Sequence, residues 1–279
     1  MKLVVKIINK ILSALRNTSN KRESEKKLGE ISQVRLEVFS NLAASYELLL
    51  NQISITKAKI NPDRTRIILL SRLLGTPPSE AYFIIQALAQ VDLLDGDICE
   101  FGVAQGETSA LIANEIFSRK EKILHLFDSF EGLPKPTKKD KLKDDIFKLG
   151  DIYAYEGKMA CPEEMVISRM NSINFPSSRY VLHRGFIEKT INTDTQMPKR
   201  VSFAYVDFDF YEPIKITLNF LQRVTTSGSV IIIDDYDFFS TGVKTATDEF
   251  LKELNSGEKV FDLFVPDKLY GCFAILTRK

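Results

Sequence analysis

The feature that most constrains the fold is the stretch of residues 97–128. In it an apolar run, a turn with two glycines, a helical pattern and a second apolar run follow one another. The first run covers residues 98–103, the turn contains Gly102 and Gly106, and the second run ends at Asp128. This order predicts the first half of a nucleotide-binding α/β sheet, with glycines that let a ligand approach the backbone. Asp128 follows about 20 residues later, where a carboxylate can accept hydrogen bonds from ribose hydroxyls.

Four interpretations of the glycine turn differ in the ligand that they predict. A dinucleotide site favours G-x-G-x-x-G, whereas the two glycines here are spaced G-x-x-x-G and Glu107 follows directly. A P-loop needs a lysine, which this turn lacks. S-adenosylmethionine has a ribose and a sulfonium but no phosphate, so the acids Glu100 and Glu107 are compatible with it. The fourth interpretation is an ordinary strand-to-helix turn without a ligand.

Beyond residue 97 the sequence alternates between strand and helix patterns. We predict strands at residues 98–103, 123–128, 180–183, 202–207, 230–233, 260–265 and 272–276, and helices at 109–118, 162–173, 213–223 and 242–254. This predicts an α/β fold with a doubly wound, seven-stranded, mostly parallel sheet, as in Rossmann-like class I methyltransferases. The last strand could run antiparallel at the edge. Residues 1–95 are predicted to form a helical N-terminal region and residues 96–279 the domain that contains the sheet.

Composition excludes several classes of function. Hydrophobic residues make up 44% of the chain and charged residues 27%, which is typical of a globular protein with a substantial core. The formal net charge of +1 argues against a nucleic-acid partner. The three cysteines show neither a disulfide framework nor a zinc-binding spacing, so we predict a cytoplasmic location.

The first sixteen residues are amphipathic at helical spacing. Lys6 and Lys10 interrupt the apolar run, which is too charged to span a bilayer and too broken for a signal peptide. The apolar face could lie on an anionic membrane surface, at the inner face of the membrane. We favour packing of this face on the protein itself or on a second subunit of a homo-oligomer.

Between the second and third predicted strands lies a long segment, residues 131–161, without strong periodicity. It leaves the carboxyl edge of the sheet, where ligands bind in open α/β folds. Long irregular segments at such edges are often functional flaps. We predict a lid over the substrate; the alternative is a solvated insertion without a role.

Two further strands end in carboxylates. The fourth is followed by Asp207 and Asp209, and the fifth by Asp234 and Asp235. Parallel strands end at one edge, so these acids should converge, and a pair of like charges 4 Å apart repels by about 4 kcal/mol at an effective dielectric of 20. Such crowding needs protonation, basic partners or a cation; if a cation is bound, oxygen ligands favour Mg²⁺ or another divalent cation. Capping of the following helix is the structural alternative.

Five motifs in order resemble the macrocin O-methyltransferases (the TylF/MycF group) across about residues 95–255. They read C-E-F-G-V-A-Q-G, F-D-S-F-E-G-L-P, R-G-F-I-E-K-T, D-F-D-F-Y-E-P and I-I-D-D-Y. The resemblance implies an S-adenosylmethionine-dependent, Mg²⁺-assisted methyl transfer to a sugar hydroxyl of a saccharide or small-molecule glycoside. It also implies roles for individual residues: Glu100, Gly102 and Gly106 beside the methionine part of the donor, Asp128, Ser129 and Phe130 beside the ribose, Gly185 near the adenine, and Asp207, Asp234 and Asp235 on the metal. Glu107 departs from the family pattern, which has a small residue there.

The expected reaction needs a group that accepts the proton of the acceptor hydroxyl. Asp207 is the first candidate and His183, at the end of the third strand, is the second, although a lone histidine is more often structural. Two other functions stay open at this point. Asp207-Phe208-Asp209 is a D-x-D sequence that could hold a metal-bound sugar diphosphate in a glycosyltransferase, and the amphipathic N-terminus could belong to a non-catalytic interaction protein.

Overall fold

The computed structural model describes residues 63–279 except Ser256 and Glu258. The predicted helix at residues 1–16, its membrane or subunit contact, and the helical pattern of residues 31–50 lie outside the described residues and stay predictions. Within the described part of the chain, no helix has the length and apolar character needed to cross a membrane.

A seven-stranded sheet forms the centre of the molecule. Its strands are β1 (Asp97–Phe101), β2 (Leu124–Asp128), β3 (Tyr180–Arg184), β4 (Val201–Val206), β5 (Thr225–Ile233), β6 (Phe261–Phe264) and β7 (Ala274–Arg278). Their order is β3-β2-β1-β4-β5-β7-β6, and the first five of these are mutually parallel. The prediction of a seven-stranded, mostly parallel sheet is confirmed.

The last strand corrects one prediction. β7 is antiparallel to both of its neighbours, as expected, but it lies between β5 and β6 and not at the edge. Ala274 and Leu276 are fully buried, whereas Phe264 of β6 is 55% exposed, as expected of an interior strand beside an edge strand. β6 is the edge strand.

Helices cover both faces of the sheet. They are α1 (Arg64–Leu70), α2 (Pro78–Gln90), α3 (Glu107–Glu115), α4 (Glu163–Ser172), α5 (Ile187–Thr193), α6 (Tyr211–Val224) and α7 (Thr241–Leu254). One buried hydrophobic cluster packs the helices α1, α2, α3 and α4 on one face of the sheet. A second cluster packs α5, α6 and α7 on the other face. α5 was not predicted, because seven residues after the Gly185 turn give too short a pattern.

Candidate active site

A cavity of about 320 Å³ opens at the carboxyl ends of the parallel strands. Its walls combine the turn after β1, the turn after β2, the start of α5, the ends of β4 and β5, and part of the inserted segment. Seven of the predicted site residues line it: Gly102, Asp128, Ser129, Gly185, Asp207, Asp234 and Asp235. The other four do not line it: Glu100, Gly106, Phe130 and His183.

Backbone hydrogen bonds beyond the strand ends hold these turns in register. The Gly102 amide donates to the Phe127 carbonyl, and the Gly185 amide donates to the Asp128 carbonyl. On the other side of β1, the Asp207 amide donates to the Phe101 carbonyl, and the Asp234 amide donates to Val206. The parallel ladder therefore continues into the loops and places the predicted ribose acid and the acid cluster around one cavity.

Gly102 is the narrowest point of the first turn. Its φ is +86°, and a Cβ there would lie 2.0 Å from the Asp207 carbonyl oxygen. A side chain is excluded both by the left-handed conformation and by this contact. The turn after β1 and the end of β4 can approach each other only because residue 102 is glycine.

The Asp128 carboxylate binds the backbone of the glycine turn. Oδ2 accepts hydrogen bonds from the amides of Val103 (2.8 Å) and Ala104 (2.9 Å), and Oδ1 accepts one from Phe130 (2.7 Å). Each carboxylate oxygen can accept two hydrogen bonds, so Oδ1 has one position left for a ligand. Phe130 contributes its amide to this arrangement, while its side chain packs against the core.

Glu100 lies behind the turn and not in the cavity wall. It is 1% exposed, and its Oε2 has no hydrogen-bond partner among the described residues. Burial raises the pKa of this carboxyl to about 8, and the nearby Asp128 and Glu107 act in the same direction. A buried acid with a free oxygen can accept a cationic ligand group.

Gly106 and Glu107 face the next helix instead of a ligand. A Cβ on Gly106 would lie 3.2 Å from Cα of Val166 in α4, so this glycine permits close packing of α3 on α4. Glu107 forms an ion pair with Arg169, also in α4. The departure from the family pattern at Glu107 is thus compensated by a basic partner, and Glu107 does not enter the cavity.

The two acids after β5 share one wall because the strand has already ended. β5 stops at Ile233, and Asp235 adopts a left-handed conformation with φ +53°. This turn removes the alternation that would send Asp234 and Asp235 to opposite faces of the sheet. Asp234 is held by the Tyr205 hydroxyl, which donates to Oδ2 at 2.7 Å.

Among the described residues, no basic side chain forms an ion pair with the acid cluster. Burial, followed by the charge of Asp234, raises the pKa of Asp207 and of Asp235 well above the usual value, and burial raises that of Asp209 to about 7. Among residues 63–279 without 256 and 258, no group of three or more acids, histidines and cysteines is arranged as a set of metal ligands. A cation would require these side chains to rotate towards a common point.

Glu80 is a further acid of this cluster that sequence reasoning missed. It lies in the first turn of α2, is 0% exposed, and its carboxyl faces that of Asp234. Burial and then Asp234 raise its pKa well above the usual value. The sequence shows an acid directly before the nearly continuous apolar run of residues 81–88, which indicates a buried helix but not the contact with Asp234.

His183 lies away from the cavity. Its ring is fully buried and stacks on Phe127. Its Nε2 forms a hydrogen bond of 2.8 Å with His125, and its Nδ1 forms one of 2.6 Å with Asp194 Oδ2. Burial lowers its pKa, against the effect of Asp194. The structure does not place His183 at the cavity or beside the acid cluster, so the geometry gives no support to its predicted role as a base.

His125 lines a different cavity of about 640 Å³, at the amino ends of the strands. This cavity is larger than the one at the carboxyl ends. Open parallel sheets nevertheless bind their ligands beyond the carboxyl ends, because helix N-termini and strand-end side chains meet there. The smaller cavity is therefore the candidate active site.

Residues 131–161 form a closed loop with a small core of their own. The Leu133 amide donates to Lys158 and the Gly157 amide donates to Leu133, so the ends of the loop meet. Ile152 and Tyr155 are buried in its core with Phe210 and Phe239. Five residues of the segment line the cavity: Gly132, Leu133, Pro134, Ile146 and Met159.

The fold and this cavity define the class of a Rossmann-like methyltransferase. Three solved structures show the same fold. They are the O-methyltransferase NovP (18% identity, 88% of this chain and 97% of that chain, TM-score 0.62), the calicheamicin methyltransferase CalS11 (21%, 84% and 90%, 0.55), and an O-methyltransferase from Bacillus cereus in complex with SAH (16%, 88% and 100%, 0.50). A comparison with curated protein sequences gives no significant match.

The family model for macrocin O-methyltransferase (TylF) matches residues 84–263. The chain belongs to this family, and it is an S-adenosylmethionine-dependent O-methyltransferase, as the motifs predicted. This membership excludes the two alternatives, a glycosyltransferase and a non-catalytic interaction protein.

Proposed function

We propose that the enzyme transfers a methyl group from S-adenosylmethionine to a hydroxyl of a saccharide or glycoside, with assistance from a divalent cation. The proposal rests on one observation: the glycine turn with Asp128 and the acids Asp207, Asp234 and Asp235 line the same cavity. A donor held on one side would meet an acceptor held on the other.

On the donor side, the chain offers complementary groups for each part of the molecule. Glu100 lies behind the cavity wall, and its Oε2 has no partner among the described residues; it would contact the ammonium of the methionine part if the glycine turn moved aside. Asp128 Oδ1 has a position left for a ribose hydroxyl, and Ser129 and Gly185 line the same wall. The close approach of the backbone at Gly102 leaves this wall free of side-chain bulk.

On the acceptor side, the chemistry of the acid cluster fits a hard divalent cation. Its potential ligands are carboxylate oxygens, and burial raises their pKa because the ionised forms are poorly solvated. Mg²⁺ would supply positive charge that binds sugar oxygens and acidifies a hydroxyl. Asp207, Asp234 and Asp235 are the residues that would hold it.

The residues of the cluster would also orient the acceptor and accept its proton. Carboxylates accept several hydrogen bonds, so a polyhydroxylated sugar suits this wall better than an isolated alcohol does. Asp207 would accept the proton that the attacking hydroxyl loses, while the sulfur–methyl bond breaks and the oxygen–methyl bond forms. Fixing both partners would lower the barrier through proximity.

A transfer assay with donor labelled in the methyl group tests this function. We expect the label to appear on a hydroxylated sugar, and we expect a chelator to suppress the transfer until Mg²⁺ is added back. Asp234→Asn combined with Asp235→Asn should lower the rate at least about 100-fold, since removal of an electrostatic stabiliser costs this order of magnitude.

Asp237→Asn is the matched control for this assay. Asp237 follows in the same turn but binds Lys143 and does not line the cavity, so its variant should keep the rate of the wild type. Undiminished transfer by the Asp234/Asp235 double variant would refute the role of these acids.

A further inference from the structure

A buried carboxylate without a donor lies next to the acid cluster. Glu80 is 0% exposed, and neither of its oxygens has a hydrogen-bond partner in the part of the chain that the structure describes. Its carboxyl faces Asp234, and Asp207 and Asp235 are close enough to raise its pKa. A buried acid in such surroundings carries a large free-energy cost unless something satisfies it.

Local structural roles do not account for Glu80. An acid in the first turn of a helix can cap free amides, but the oxygens of Glu80 accept no such hydrogen bond. The backbone amides of Glu80 and Ala81 are already satisfied by the Pro77 carbonyl. The buried Glu115, in contrast, has a basic partner in Arg66, which donates to both of its oxygens.

The neighbour of Glu80 is held in place from two other sides. Asp234 Oδ1 accepts from the Asp235 amide at 2.7 Å, and Oδ2 accepts from Tyr205 at 2.7 Å. Asp234 is thus fixed by donors, whereas no group of the described residues donates a hydrogen bond to Glu80 beside it. The unsatisfied oxygens belong to a residue of α2 and lie beside Asp234, behind the lining of the cavity. A rotation of the Glu80 side chain would bring them towards a cation held by the strand-end acids.

We propose that Glu80 is a fourth carboxylate of the cation site, contributed by helix α2. The inference deepens the function proposed above and rests on it. It means that the cation joins the sheet end to a helix that precedes the first strand. The cation would balance a charge that the rest of the site leaves uncompensated.

Binding of Mn²⁺, measured through the electron paramagnetic resonance signal of the free ion, tests this role without any turnover. In Glu80→Gln we expect the affinity for Mn²⁺ to fall at least tenfold, because one anionic ligand is lost. The rise in Tm that Mn²⁺ causes in the wild type should shrink accordingly. The affinity for S-adenosylhomocysteine without metal should stay within twofold, which shows that the variant is folded.

Two further variants complete the experiment. Glu80→Asp keeps the charge but withdraws the carboxylate by one methylene, and it should also weaken Mn²⁺ binding. Glu115→Gln, at a buried glutamate paired with Arg66, is the matched control and should bind Mn²⁺ like the wild type. A merely structural Glu80 would leave Mn²⁺ binding unchanged in both Glu80 variants.

The possible failures can be told apart. If the wild type and Glu80→Gln bind Mn²⁺ equally, the role of Glu80 is overturned and the three-aspartate site stands. If the wild type binds S-adenosylhomocysteine but no Mn²⁺, the cation site and Glu80's part in it are both overturned, while methyl transfer survives. If the wild type binds neither, the proposed function fails as well.

Discussion

At the scale of single residues, the site consists of acids whose surroundings disfavour their charge. Glu80, Glu100 and Asp234 are buried, Asp207 and Asp235 beside them are half-buried, and the pKa of each is raised. Proteins usually bury such groups beside basic partners, as with Glu107 and Arg169 here. Glu107 therefore has a structural role between two helices, whereas the acids without a basic partner among the described residues are the candidates for ligand binding.

Glu100 allows this view to be tested through pH. Its pKa is raised from 4.5 to about 8, so between these values the folded state binds more protons than the unfolded state does. The contribution of Glu100 to stability is therefore present below about pH 4.5 and is lost as the pH rises to about 8. Glu100→Gln does not titrate and avoids this loss.

The free energy of unfolding of Glu100→Gln, measured relative to that of the wild type, should be higher at pH 8 than at pH 5 by a few kcal/mol. Urea denaturation at the two pH values measures the change. Comparison of the two proteins cancels the other acids that titrate in this range. Equal pH dependence of both proteins would show that Glu100 ionises normally in the folded state.

The sequence predicted much of the site at this scale but not all of it. Acids that directly follow parallel strands must meet at one edge, and Asp128, Asp207, Asp234 and Asp235 do so. Glu80 could not be placed in the same way, because its position depends on how α2 crosses the sheet. Gly106 was assigned to the ligand side, whereas it packs closely against α4.

At the scale of elements, the inserted segment is held by α6 and α7. Asp140 is 3% exposed; its Oδ1 accepts from the Tyr211 amide at the start of α6, and its Oδ2 accepts from Thr137. Gly242 at the start of α7 leaves room for it, since a Cβ there would lie 1.8 Å from Oδ1. Any movement that lifts residue 140 away from α6 must therefore break the hydrogen bond between the Tyr211 amide and Asp140.

Asp140→Ala should release the segment from α6 while the sheet stays folded. We expect cleavage by trypsin at the lysines of residues 131–161 to become at least about tenfold faster, because loss of about 1.4 kcal/mol makes opening ten times more frequent. Asp151→Ala, which removes an exposed cap within the same segment, is the control and should change the rate less. Equal rates for Asp140→Ala and the wild type would contradict this account.

Elements were predictable where periodicity or apolar runs are long. The strands β1, β2 and β4 lie within about two residues of their predicted bounds, because buried parallel strands are almost continuously apolar. α5 was missed, since seven residues give too short a helical pattern. The place of β7 was wrong, because strand order depends on the packing of whole faces and not on any local run.

At the scale of the whole molecule, the sheet gives the enzyme its two sides. Under the proposed function, the turns after β1 and β2 would hold the donor and the acids after β4 and β5 would hold the acceptor. The parallel direction of these strands brings both sets of residues to one edge. The helix α2, which precedes the first strand, places Glu80 beside Asp234. A chain of 279 residues thus builds its site from segments between residues 75 and 238.

The measurement that tests the central claim most directly is a calorimetric titration of the full chain with S-adenosylhomocysteine. The account predicts saturable one-site binding, and at least a tenfold weaker constant in Asp128→Asn, since a hydrogen bond to a charged group contributes about 1.5–3 kcal/mol. Asp151→Asn, outside the cavity, should bind like the wild type. Saturable binding of a nucleotide-sugar with none of S-adenosylhomocysteine, or an unchanged constant in Asp128→Asn, would contradict it.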